Sequence, residues 1–249
     1  MSGHSKWASI KHKKAVVDAR RGQHFTKLAR AVTVAAREGG GDPEANPSLA
    51  TAVQKARDAS MPKDNIERAI AKGTGEGADA DAIESVVYEA YGPGGVGLLI
   101  EALTDNRNRT GAEVRHALTK HDGALGEPGS VGYLFDKRGL LVVDATRYDE
   151  DDLIVAIDAG ALDIAIDEDV FEIVTEPGEL PRVRAALAEA GVEVESGEVA
   201  QVPKSRVPVE EDKAATLMRL IETLEDNDDV NAVHANFDVS ADVMERVAG

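Results

Sequence analysis

Apolar side chains in the first third of the chain recur every three or four residues, which is the period of an amphipathic helix. They do so first in residues 22–38, and a run of glycines ends that stretch. Asn46-Pro47 has the form of an N-cap and first helical residue, so a second helix begins there. Pro62 begins a third helix, which Gly73 closes. The pattern therefore predicts a small bundle of three helices.

A segment rich in Gly and Asp follows at residues 73–82, and its lack of periodicity is typical of a linker. Beyond it the pattern changes to strands. VVYEAYG and VGLLIEALT, joined through a glycine-rich turn, predict a hairpin. A helix over residues 110–121 comes next. Two strands and one helix are too few to close a sheet, so this first α+β unit needs elements from elsewhere in the chain.

A second series of strands and helices occupies residues 132–205. Strands are predicted in VGYLFDK, GLLVVD, DVFEIVT and VEVESGEVAQV, and helices over residues 151–159 and 179–190. The chain then continues into a long helix and a strand, VNAVHANFDV, which we expect to complete the first sheet. The prediction is an α+β protein with three domains. They are a helical domain of residues 1–75, a discontinuous α+β domain of residues 83–131 and 206–249, and an inserted α+β domain of residues 132–205.

Charge is unevenly distributed along this chain. Its 28 Lys and Arg against 46 Asp and Glu give a formal net charge of −18. Residues 1–73 nevertheless hold 14 basic and 7 acidic side chains, so they carry +7 and the remainder carries −25. A basic domain of this kind is the electrostatic footprint of a nucleic-acid-binding protein, because Lys and Arg neutralise phosphates and release counterions. We therefore expect the helical domain to bind nucleic acid.

Several other classes of protein are disfavoured. The absence of cysteine excludes a disulfide framework, a thiolate zinc site and a Cys nucleophile, and it suits a reducing cytoplasm. No apolar run reaches the ~18 residues of a membrane span, and the first residues lack the apolar core of a secretory signal, so no membrane partner is expected. The histidines lack metal-ligand spacing, and no motif combines a nucleophile, a base and an orienting residue. A cytoplasmic, non-enzymatic protein without a metal or cofactor is predicted.

The candidate binding residues cluster at the N-terminus. Lys and Arg suit phosphates, Trp7 suits stacking on an unpaired base, and histidines can donate to phosphate oxygens. The alternative is a solvated basic tail with Trp7 packed against the bundle. The candidates are His4, Lys6, Trp7, Lys11, His12, Lys13, Lys14, Arg20 and Arg21, with Lys27 on the helix that follows.

A second candidate is TDNRNRT, residues 104–110, which lies between a predicted strand and a helix start. Backbone N–H groups at a helix start favour anions, and Arg107 and Arg109 add positive charge. The alternative is that the polar side chains cap the turn and the helix while the arginines pair with acidic neighbours. Both interpretations stay open at this point.

Two acidic runs complete the polar features. Asp149–Asp152 and the aspartates at 226, 228 and 229 lack the spacing of a calcium-binding loop. They resemble residues at helix starts and turns. We therefore predict that both runs form solvated surface.

Three longer stretches carry a resemblance to a known family. GHSKWASIKHKK with RRGQHFTKLAR, AVQKARDASMPKDNIERAIAKGTG, and the run from YEAYGPGGVG to GSVGYLF together cover most of residues 3–135. They closely resemble the YebC family, also called PmpR, and DDVNAVHANFDV is similar to its C-terminal strand. The resemblance implies a helical first domain and two ferredoxin-like α+β domains, the third inserted into the second. It also implies a DNA-binding transcriptional regulator, although mitochondrial relatives act as translational activators.

The target of binding is left open between DNA and RNA. Proteins that bind duplex DNA usually spread positive charge over the docking face, whereas here −25 lies on the attached domains and would repel phosphates. This favours a local RNA contact, such as one on a ribosome, as the rival to a transcriptional role. A further alternative is an adaptor whose acidic domains bind a basic protein.

Overall fold

The computed structural model of the chain describes residues 18–75, 83–167, 169–240, 243–244 and 246. Within them, three helices are followed by two separate four-stranded sheets, each with two helices packed on it. The predicted α+β class is confirmed, including the insertion of the third domain into the second. None of the helices in this described part of the chain is both long and apolar enough to cross a membrane.

The helical domain consists of α1 (Asp18–Gly39), α2 (Pro47–Asp58) and α3 (Lys63–Gly73). Asn46 caps α2 as predicted, because its side-chain oxygen accepts a hydrogen bond from the Leu49 amide at 3.1 Å. Its amide group also donates to the carbonyls of Ala35 and Gly40, both at 2.8 Å. The buried Asn46 side chain therefore joins the end of α1 to the start of α2. The apolar core between the helices is formed by Leu28, Val32, Leu49, Val53, Ala56, Met61 and Ile66.

The first sheet is completed by a strand from the end of the chain. Its strands are β1 (Glu84–Tyr91), β2 (Gly97–Thr104), the short β3 (Ala124–Leu125) and β9 (Val230–Ala235), in the order β3-β1-β2-β9. The predicted β1–β2 hairpin is confirmed, and its turn requires glycine because Gly94 and Gly95 both have φ of +79°. Helices α4 (Arg107–Lys120) and α7 (Glu211–Glu225) share a core with this sheet. A parallel pair, β8 (Val207–Pro208) and β10 (Phe237–Asp238), lies beside it.

The inserted domain is a strand–helix–strand–strand–helix–strand unit. It contains β4 (Phe135–Asp144), α5 (Ile154–Asp158), β5 (Ala161–Asp167), β6 (Val170–Thr175), α6 (Leu180–Glu189) and β7 (Val194–Pro203). The strand order is β5-β6-β4-β7 and every neighbouring pair is antiparallel, which is the ferredoxin-like arrangement. Leu141, Ile173, Val183 and Leu187 are fully buried between this sheet and its helices.

The structure corrects two predicted elements of the inserted domain. VGYLFDK and GLLVVD are not separate strands, because a 3-10 turn at Gly132–Leu134 leads into the single strand β4. The prediction missed β5, although Leu162, Ile164 and Ile166 alternate with polar or small residues as a strand requires. This strand lies at the sheet edge and carries aspartates, which are uncommon in strands.

Gly73 allows α3 to approach α1 closely, and a side chain there would collide with backbone. A Cβ atom on Gly73 would lie 2.3 Å from the Thr33 carbonyl oxygen and 2.7 Å from the Ala36 Cβ. We therefore expect Gly73→Ala to lower the free energy of unfolding by about 1 to 3 kcal/mol, measured by urea denaturation. Gly22→Ala is the control, because no described atom comes within 4 Å of a Cβ at that helical position. That control should be neutral or stabilising by up to about 1 kcal/mol, and equal losses in both variants would contradict the packing argument.

Candidate nucleic-acid interface and the domain junction

Most of the predicted binding residues lie outside the described residues. These are His4, Lys6, Trp7, Lys11, His12, Lys13 and Lys14, together with the side chains of Arg20 and Arg21. The backbone of Arg20 and Arg21 belongs to the first turn of α1, which begins at Asp18. The structure therefore shows what adjoins this basic segment, and it shows the three remaining candidates, Lys27, Arg107 and Arg109.

One face of α1 contacts the acidic second domain. Gln23, Lys27 and Arg30 are spaced at helical intervals and face the C-terminal end of α7. The Lys27 ammonium donates a hydrogen bond to the backbone carbonyl of Glu225, the last residue of α7. A helix C-terminus carries partial negative charge and unsatisfied carbonyls, so a cation is favoured there. Lys27 thus belongs to the junction between the two domains.

Asp229 lies at the centre of this junction. Its side chain is only 4% exposed, and its Oδ1 atom accepts a hydrogen bond from Arg30 of α1 at 2.8 Å. Arg30 also donates to the Asp228 carbonyl at 3.0 Å. A buried carboxylate requires such partners, because desolvation of an unpaired charge is costly. The prediction that Asp229 is solvated surface is therefore wrong.

The second oxygen of Asp229 binds the start of α4. Its Oδ2 atom accepts hydrogen bonds from Arg109 and from the Thr110 hydroxyl, both at 2.6 Å, and from the Thr104 hydroxyl at 3.2 Å. Burial alone would raise the pKa of Asp229, but hydrogen bonds from Arg109, Thr110 and Arg30 outweigh it and lower the pKa from 3.8 to about 2. The carboxylate is therefore ionised throughout the physiological range.

Arg107 and Arg109 occupy different environments despite their proximity. Arg109 is held by two carboxylates, Asp229 at 2.6 Å and Asp105 at 2.8 Å. Asn106 caps α4, because its side chain accepts a hydrogen bond from the Arg109 amide at 3.1 Å. The Arg107 side chain is 66% exposed and lies 3.8 Å from Glu84. Arg109 thus fits the capping and pairing alternative, while Arg107 is directed toward solvent.

A second junction joins α2 to the inserted domain. Lys55 of α2 pairs with Glu198 of β7, and Arg184 of α6 pairs with Asp58 at 2.9 Å. The carboxylate of Glu198 raises the pKa of Lys55 by more than burial lowers it. Cations therefore lie on both sides of this contact, and each meets a carboxylate of the other domain.

These junctions change the interpretation of the basic charge. Of the eight Lys and Arg between residues 22 and 73, four contact the acidic domains: Lys27, Arg30, Arg37 and Lys55. Arg37 does so by donating to the Ile83 carbonyl. The other four are Arg57, Lys63, Arg68 and Lys72. Half of the positive charge in this described part of the domain thus serves domain docking. Sequence reasoning missed this role, although the spacing of residues 23, 27, 30 and 37 marks one polar helix face.

Comparisons with known proteins cover nearly the whole chain. A family model for the TACO1/YebC protein N-terminal domain matches residues 5–76, and one for the TACO1/YebC second and third domain matches residues 83–237. A protein of Rubrobacter xylanophilus named probable transcriptional regulatory protein is 53% identical over 250 residues, with all of both chains covered. One of the same name from Acidothermus cellulolyticus is 54% identical over 248 residues, covering 99% of this chain and 100% of that protein.

A solved structure agrees with the fold. The crystal structure of a conserved hypothetical protein from Aquifex aeolicus matches with a TM-score of 0.82 and 46% sequence identity, covering 91% of this chain and 93% of that one. The fold defines a class of three-domain α+β protein in which a basic helical domain docks on two acidic ones, and the relatives above carry the name probable transcriptional regulatory protein. The chain belongs to the TACO1/YebC family, which confirms the resemblance seen in three stretches of its sequence.

Asp229→Asn tests the junction. Loss of the charge removes the carboxylate bound by Arg30 and one of the two bound by Arg109, so the free energy of unfolding should fall by about 2 kcal/mol. The loss is smaller than for a wholly buried pair because water screens the two partly exposed arginines. The pKa of Asp229 is lower in the folded protein than in the unfolded chain, so its carboxylate stabilises the folded state at pH values above the unfolded pKa. The free energy of unfolding of the wild type should therefore decrease as the pH is lowered from about 4 to about 2.

Asp228→Asn is the matched control, since that neighbouring side chain is exposed. Urea denaturation at neutral and acid pH should show little change in the control and a weaker acid dependence in Asp229→Asn. An acid dependence identical in all three proteins would contradict the assignment.

Proposed function

We propose that this protein is a nucleic-acid-binding regulator of gene expression that acts by binding rather than by catalysis, with residues 1–75 as the binding domain. One observation carries the proposal: residues 1–21 hold six Lys and Arg against the single acid Asp18. Half of the described cations in the rest of this domain are engaged at the junctions, so this segment is the densest basic cluster left for phosphates. The family membership supports it, because curated relatives are named as transcriptional regulators.

The binding segment adjoins the start of α1. His4, Lys6, Trp7, Lys11, His12, Lys13 and Lys14 precede that helix, and Arg20 and Arg21 lie in its first turns. In the proposed contact the cations neutralise phosphates while Trp7 stacks on a base. We assign Lys27 to the domain junction, since its ammonium already binds the end of α7.

DNA is the proposed target, and structured RNA such as that of a ribosome is the second candidate. The printed names of the relatives favour DNA. The charge of −25 beyond residue 73 favours a local RNA contact, because a long duplex would be repelled by the docked acidic domains. Both candidates use the same basic segment.

The decisive experiment is the distribution of the tagged protein between ribosomal fractions and chromosomal DNA in lysate, with nuclease controls. Replacing Lys11, Lys13, Lys14, Arg20 and Arg21 with Ala should reduce the association about tenfold or more, because several phosphate contacts are lost. DNA association that this variant loses would establish the DNA-binding role. Ribosome association that it loses would establish a translation factor instead.

The control replaces five exposed cations of the acidic domains and removes the same charge. These are Arg115, Lys120, Arg182, Lys213 and Arg219. The control protein should associate with the ribosomal or DNA fraction to the same extent as the wild type. An equal loss in both variants would show that net charge alone matters, and an unchanged N-terminal variant would refute the proposed binding segment.

Arg107 and Arg109 are expected to behave differently when each is replaced by Ala. We propose that Arg107 adds a phosphate contact, so Arg107→Ala should weaken nucleic-acid binding a few-fold at unchanged stability. Arg109→Ala should lower the unfolding midpoint, because Asp229 and Asp105 lose their shared cation. Arg115→Ala on the same helix is the control. If Arg107→Ala bound nucleic acid with unchanged affinity, residues 104–110 would have only a capping role.

A further inference from the structure

The two edges of the sheet in the inserted domain differ. The edge at β7 is covered by α2, through the pairs Lys55–Glu198 and Arg184–Asp58. The edge at β5 has no strand beside it among the described residues, and β6 is its one hydrogen-bonded neighbour there. An edge strand directs alternate backbone N–H and C=O groups away from its sheet, where another strand can pair with them.

Large apolar side chains are concentrated at this edge. Leu162 and Ile166 of β5 are 55% and 57% exposed, and Ile154 and Ile157 of the adjacent α5 are 52% and 58% exposed. They are four of the seven large apolar side chains that are strongly exposed in the described structure, and they fall within 13 residues of sequence. Scattered exposed apolar residues are ordinary, but a cluster marks a binding surface.

The stretch of chain that carries these side chains has charged residues of a single sign. Residues 149–169 contain nine Asp and Glu and neither Lys nor Arg. Asp149, Asp151, Asp152, Asp158 and Asp163 are all exposed there. We define the β5 surface as Ile154, Ile157, Leu162 and Ile166 together with these aspartates.

We propose that the β5 surface binds a basic protein segment in extended conformation, in which Lys or Arg alternate with apolar residues. The apolar side chains of that segment cover the exposed Leu and Ile residues, its cations meet the aspartates, and its backbone pairs with β5. The bulge between Ala161 and Asp163 limits regular pairing to the stretch that begins at Asp163. This surface shares no residue with the basic segment proposed for nucleic acid.

The uniform negative charge decides between possible occupants. Nucleic acid is repelled by nine carboxylates with no cation among them. A second copy would place the same acidic surface against itself, and like charges across an interface oppose association. A basic polypeptide is favoured by both the negative charge and the exposed apolar side chains of the β5 surface. Its positive charge speeds association, and its apolar residues provide the contact area.

The test uses the full chain and a fluorescent eight-residue peptide in which Lys alternates with Val, with binding followed by anisotropy at low salt. Leu162→Lys with Ile166→Lys should weaken peptide binding about tenfold or more, because the contact area and the charge complementarity are both lost. The control is Val87→Lys with Tyr133→Lys, which adds the same charge at exposed apolar positions elsewhere. It should bind within about twofold of wild type. A peptide in which Ser replaces Val should bind about tenfold more weakly than the Val peptide.

Four outcomes would overturn the proposal. Equal weakening in both Lys variants, or equal binding of the Ser peptide, would show a response to charge alone. Peptide-induced protection from hydrogen exchange confined to residues outside 149–167 would place binding elsewhere. A concentration-dependent dimer in sedimentation that Leu162→Lys with Ile166→Lys abolishes would identify a second copy as the occupant. Circular dichroism spectra of both Lys variants that match the wild type would exclude unfolding as the cause of weaker binding. None of these results depends on whether the protein binds nucleic acid.

Discussion

The buried carboxylate of Asp229 is bound from two parts of the chain that are far from it and from each other in sequence, α1 and residues 104–110. Arg30 reaches it from α1, Arg109 and Thr110 from the start of α4, and Thr104 from the end of β2. A charge so enclosed is stable only while its partners stay in place, because each lost hydrogen bond leaves part of the desolvation uncompensated. The carboxylate therefore constrains where the helical domain can dock on the first sheet.

The need to pair charges where the domains dock also explains how positive charge is distributed in the helical domain. The face of α1 that carries Lys27 and Arg30 is directed to the acidic end of α7, and Lys55 of α2 is directed to β7. The net charge of a segment is thus a poor measure of its capacity to bind phosphates when part of it is neutralised within the fold. The cations outside these junctions are most densely clustered in the sequence before α1 and at its start.

Docking also distinguishes the two ends of the inserted sheet. One edge is occupied by α2, while the other keeps exposed apolar side chains in a stretch of chain that also carries exposed carboxylates. A protein that binds nucleic acid with its first domain and a basic polypeptide with its third would hold two partners of opposite charge at separate surfaces. Each partner would be repelled at the site of the other, because the N-terminal segment carries positive charge and the β5 surface carries negative charge.

Periodicity, capping residues and turn glycines in the sequence determined the helices, the β1–β2 hairpin and the α+β class, because these depend on neighbours a few residues apart. Charge counting determined that the first third is basic. Only the tertiary structure decided which charges are buried: Asp229 looked like a solvated turn residue, and its role arises from arginines 120 and 199 positions away. The edge strand β5 was likewise missed, since its aspartates oppose local strand propensity and pairing with β6 overrides it. Contacts between distant residues depend on how the domains pack, and no local pattern encodes that.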